Sequence, residues 1–99
     1  IAQTVSKIAG LSEFEANRVG VELWKQKKHH QAVELFKVIE AKFPKSATTC
    51  FNLAVNYKEL GEFKKAKEAY EKGIALDPLN PNLLEFSKSL QENDANKSK

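Results

Sequence analysis

Cysteine, tryptophan, proline and glycine are scarce in this sequence, at one, one, three and four of 99 residues, and methionine is absent. A lone cysteine, Cys50, excludes an intramolecular disulfide framework and any multi-cysteine metal site. Long apolar runs are missing too. Nothing approaches the length of a membrane span, and the N-terminus lacks the charged start and long apolar core of a signal peptide. Charge of one sign is nowhere concentrated: the net +3 divides into +2 over residues 1–44, +1 over 45–78 and zero beyond. No segment therefore calls for nucleic acid or membrane insertion. The chain opens on Ile1 without methionine, which points to trimming or excision. What is present, 41% hydrophobic and 29% charged residues, suits one small globular domain.

The sequence repeats itself. Ala66, Tyr70 and Pro78 of "KKAKEAYEKGIALDP" stand 34 residues after Ala32, Phe36 and Pro44 of "HQAVELFKVIEAKFP". Ser12 followed by Glu15 forms a capping box, so a helix is expected from about Glu13 to Lys27 with Ala16, Val19, Gly20 and Leu23 on its apolar stripe. After "KQKKHH" a second helix carries Ala32, Leu35, Phe36 and Ile39 inward and stops near Phe43 and Pro44. Ser46 caps a third helix with the stripe Cys50, Leu53, Ala54 and Tyr57. Gly61 turns the chain, and a fourth helix places Phe63, Ala66, Tyr70 and Ile74 inward. Small residues (Gly20, Ala32, Ala54, Ala66, Gly73) fall where paired helices approach most closely. Asn80 and Pro81 then open a helix to about residue 92 with Leu83, Leu84, Phe86 and Leu90 inside and Glu85, Lys88, Ser89 and Glu92 outside. Residues 93–99, with nothing to bury, are expected to be disordered. Ile1, Val5 and Ile8 suggest an N-terminal helix over 1–11, either the end of a preceding repeat or a simple cap.

Two helices per period and the pattern Cys50, Leu53, Ala54, Tyr57, Gly61, Phe63, Ala66, Tyr70, Gly73, Leu76, Pro78 resemble the tetratricopeptide repeat. The earlier copy carries Ala16, Val19, Gly20, Leu23, Ala32, Phe36 and Pro44. It departs at its turn, with Lys27 in place of Gly61 and His29 in place of Phe63. The resemblance implies an all-α fold of helix-turn-helix repeats at 13–46 and 47–80, stacked as a short right-handed superhelix and closed by a capping helix at 81–92. A lysine in the backbone conformation that Gly61 allows would cost about 1 kcal/mol, so the first turn is either strained or different.

In that family the first helices of the repeats line a concave peptide-binding surface. Carried over, the surface comprises Phe14, Asn17, Val21, Trp24 and Lys25, then Thr48, Phe51, Asn52, Val55 and Lys58, then Glu85, Phe86 and Ser89. Rings supply contact area and amides hold a peptide backbone. Phe51 and Phe86 could equally fill space between helices; Trp24 should be partly exposed or covered by something. Members that bind chaperone C-terminal tails use a basic carboxylate clamp. Asn52 matches one clamp position, but Asn17 and Val21 stand where a lysine and an asparagine are expected, and Glu85 and Phe86 where basic residues are. Chaperone tails are therefore not the expected ligand.

No constellation for catalysis is visible. His29 and His30 are adjacent rather than a helical turn apart, so they do not form a paired metal site, and Cys50 lies in a packed stripe. There is no glycine-rich phosphate loop and no Ser/His/Asp arrangement. The expectation is a non-enzymatic, cofactor-free module that binds a protein or peptide in its concave groove. Two alternatives stay open: an architectural C-terminal segment of a larger protein, or self-association through stacked ends. The basic turn from Lys25 to His30 reads as solvated or as a dock for an acidic protein surface.

Overall fold

In the computed structural model the described backbone spans residues 8–97, with side chains described through residue 91. Five helices follow one another: α1 (Glu13–Lys25), α2 (His29–Lys42), α3 (Ala47–Glu59), α4 (Phe63–Leu76) and α5 (Pro81–Lys97). Consecutive helices pack together, and α3 also contacts α1 and α5, so α1, α3 and α5 form one layer with α2 and α4 behind it. This is an all-α, stacked helical-repeat arrangement. Of the segment expected as an N-terminal helix, residues 1–7 lie outside the described residues; Ile8 is helical and buried.

The start of each layer-forming helix is fixed by one side chain. Ser12 Oγ accepts from Glu15 N–H (3.2 Å), Ser46 Oγ from Thr49 N–H (3.1 Å) and Asn80 Oδ1 from Leu83 N–H (3.1 Å). These caps recur every 34 residues, each satisfying an amide that the helix leaves unpaired. The turns repeat as well. Lys27 N–H donates to Trp24 O and Lys28 N–H to Leu23 O; one period later Gly61 N–H donates to Lys58 O and Glu62 N–H to Tyr57 O, all at 2.9 Å. Such a helix end needs a left-handed residue. Gly61 takes it with φ 77° and Lys27 with φ 62°, so the first turn keeps the geometry and carries the strain.

Inward stripes meet in the core as their spacing requires. Ala32, Leu35, Phe36, Ile39, Cys50, Leu53, Ala54, Tyr57 and Ala66 are buried. Phe36 stands end-on to α1: a Cβ on Gly20 would lie 2.3 Å from Phe36 Cζ. Burying such a ring contributes about 2–3 kcal/mol, which the absent Cβ makes possible. At the other end, a Cβ on Gly73 would meet Leu83 Cδ1 at 2.8 Å and Cys50 Cβ at 3.0 Å.

α5 departs from expectation twice. Leu84, expected inward, is 44% exposed, because Leu83 and Phe86 take the buried face. The helix also runs to Lys97, past the expected end near residue 92 and through part of the segment expected to be disordered. No proline or glycine follows Pro81 to stop it.

Candidate functional site

The layer of α1, α3 and α5 carries an open groove of about 600 Å³. Phe14, Asn17, Arg18, Val21 and Lys25 of α1 form one wall, Thr48, Phe51 and Asn52 of α3 the other, and Asn82 of α5 reaches its edge. A shallower depression continues it across α5, lined by Phe51, Val55, Glu85, Phe86 and Ser89. Of the residues that sequence reasoning placed on this surface, Trp24 and Lys58 line neither hollow. Trp24 borders a separate cavity with Lys25, Lys27, His29 and Glu59. Lys58 is partly buried at the end of α3.

The amides behave differently from free peptide-binding groups. Asn17 and Asn52 are buried, and Asn17 Oδ1 accepts from Asn52 Nδ2 at 3.0 Å. Both amide hydrogens of Asn17 are committed, to Glu13 O at 3.0 Å and Thr49 Oγ1 at 3.1 Å. Thr49 in turn donates to Ser46 Oγ at 2.9 Å, and Ser46 to the Glu13 carboxylate at 2.6 Å. A polar ladder thus sets the register of α1 against α3 beneath the groove floor, since a buried polar group without a partner is costly. Asn56, also buried, donates to Asn52 O at 2.9 Å and accepts at Oδ1 from His29 Nδ1 at 3.0 Å. That bond explains the histidine in place of Phe63: it anchors the start of α2.

Packing also claims Phe86. It is buried, edge-on to Phe51 (centroids 6.3 Å, 86°) and tilted over Tyr70 (6.2 Å). Phe14 does the reverse: it is 72% exposed, with the Arg18 guanidinium 5.9 Å from its ring centroid. The charges of the groove are internally matched. Lys25 lies 3.5 Å from Glu22 and Lys88 3.6 Å from Glu85. Such exposed pairs are weak, but they leave the groove near neutrality.

Among the described residues, three groups depart from their ordinary pKa. The Ser12 backbone N–H and hydroxyl lower the Glu15 carboxyl pKa from its ordinary value. Burial pushes the Cys50 thiol up, which keeps it protonated and unreactive. A 2.9 Å bond to Glu40 raises Lys72 and ties α4 to α2. Among the described residues, His, Cys, Asp and Glu side chains nowhere gather as a set of three that could hold a metal, and no helix is long and apolar enough to cross a membrane.

Comparison with known proteins bears on the second helix pair. Residues 47–80 match the tetratricopeptide repeat family, so α3, the Gly61 turn and α4 form a tetratricopeptide repeat, a unit that generally serves protein interaction and is typically non-catalytic. No curated protein and no solved structure gives a significant match to the chain.

Proposed function

We propose that the chain is a non-catalytic interaction module whose groove between α1 and α3 binds a segment of another protein. The observation that carries this reading is Phe14: a phenylalanine 72% exposed at the wall of a groove that Val21 and Phe51 extend, with a hydrogen-bonded floor that holds the walls in place. An aromatic side chain standing in water lowers its free energy when a partner covers it, and rigid walls reduce the ordering cost of doing so. Matched charges favour an uncharged, apolar segment over an acidic chain terminus.

The test is capture from a lysate of the source cells by the chain and by a Phe14→Ser/Val21→Ser variant whose helical content is unchanged. A partner retained by the first and lost by the second supports the groove. Equal capture by both refutes it.

A second reading, packing against other domains of a longer protein or against another copy, draws on Leu79 and Leu84, which are 82% and 44% exposed beside the α4–α5 junction. It predicts a mass in solution that rises with concentration and that Leu79→Ser/Leu84→Ser returns to that of one chain.

A further inference from the structure

The turn between α1 and α2 holds a feature that the groove does not use. Lys27 adopts φ 62° at the position where the same turn one period later carries Gly61 at φ 77°. The fold accepts glycine there, and glycine would be less strained. A strained residue that the scaffold does not need points to what its side chain does.

That side chain borders a cavity of about 360 Å³ with Trp24, Lys25, His29 and Glu59. Trp24, the only tryptophan, is 39% exposed there. The His29 ring is fixed from behind: Asn56 spends an amide hydrogen on Asn52 O, so its Oδ1 accepts from His29 Nδ1–H. The cavity thus brings together the Trp24 side chain, a lysine rooted in the left-handed turn and an oriented imidazole. Among the described residues Lys27 and the adjoining Lys28 make no ion pair, whereas Lys25 lies 3.5 Å from Glu22. Of the charged residues that line the cavity, Lys25 and Lys27 stand against Glu59 alone, so the lining is net positive, and the exposed Lys28 adjoins it in sequence.

The geometry points to a second docking site, adjoining the groove at Lys25, in which an acidic peptide segment seats one apolar side chain on Trp24 while its carboxylates meet Lys27 and the Lys28 beside it in sequence. A net positive lining around the Trp24 indole matches that chemistry and disfavours a basic or an uncharged segment. Because the cations are exposed, the attraction is screened by salt.

Trp24 fluorescence reads the site directly. The probes are three short peptides: Ac-Asp-Glu-Leu-Asp-Glu-NH2, its Lys/Arg counterpart and its Asn/Gln counterpart. The acidic peptide is expected to give a saturable shift that weakens about tenfold between low and high salt. Lys27→Gly removes the cation and relieves the strain, so it should raise the melting temperature while weakening this peptide about fivefold. Loss of binding then cannot be loss of fold. Phe14→Ser should leave the titration unchanged. The proposal is overturned by a flat titration, by equal response to all three peptides, by affinity that Lys27→Gly does not alter, or by loss of binding in Phe14→Ser, which would place the peptide in the groove.

Discussion

Lys27 and Gly20 hold opposite ends of one argument about what a side chain costs. At Lys27 the backbone is left-handed, so Lys27→Gly should stabilise the chain by about 1 kcal/mol and Gly61→Lys should destabilise it by a similar amount, both read from urea midpoints. At Gly20 the backbone is helical, where alanine would ordinarily gain about 1 kcal/mol. Here the added methyl meets the buried Phe36 ring, and overpacking of this kind costs about 1–3 kcal/mol. Gly20→Ala should therefore destabilise, and Phe36→Leu, which shortens the obstructing side chain, should reverse its sign. Asn17 gives a third case. Its removal strands Asn52 Nδ2 and leaves Thr49 without a donor, so Asn17→Ala should cost about 1–3 kcal/mol although the residue borders the candidate groove. A double-mutant cycle with Asn52→Ala should show coupling of about 1 kcal/mol.

At the scale of the helix, caps and stripes were legible and polar pairing was not. Ser12, Ser46 and Asn80 announce three helix starts, and the stripes of α2 and α3 are buried as their spacing requires. Thr49 and Asn56 gave no such signal. They are polar residues on a buried face, and their partners come from helices about 30 residues away, a relation that no local period encodes. Trp24 shares the spacing of Asn17 and Val21 but stands in the last turn of α1, where its indole meets the interhelical turn. The capping box of α1 makes a pH prediction. The Glu15 pKa is lowered in the fold, so its contribution is complete above the ordinary value of 4.5 and is lost as pH falls through the lowered one. In Glu15→Gln this part of the acid dependence of stability should vanish.

For the whole molecule, α5 matters as the helix that covers the second helix pair. Leu83 and Phe86 cover Gly73, Tyr70 and Phe51, so a chain ending before Pro81 exposes the apolar surface of the tetratricopeptide repeat. Such a truncation should lose a cooperative thermal transition, as expected when a stacked array loses its cap. The groove is a property of this assembled layer, since three helices contribute to its lining and no single one forms it. On the proposed function, this layer, and not the helices behind it, meets the partner. A photo-crosslinking residue placed at Phe14 on the groove wall, and in a separate chain at Val38, exposed on α2, tests it in lysate of the source cells. A discrete cross-linked protein is expected from position 14 and none from position 38. Cross-links from position 38 alone, or the same products from both, would contradict that function.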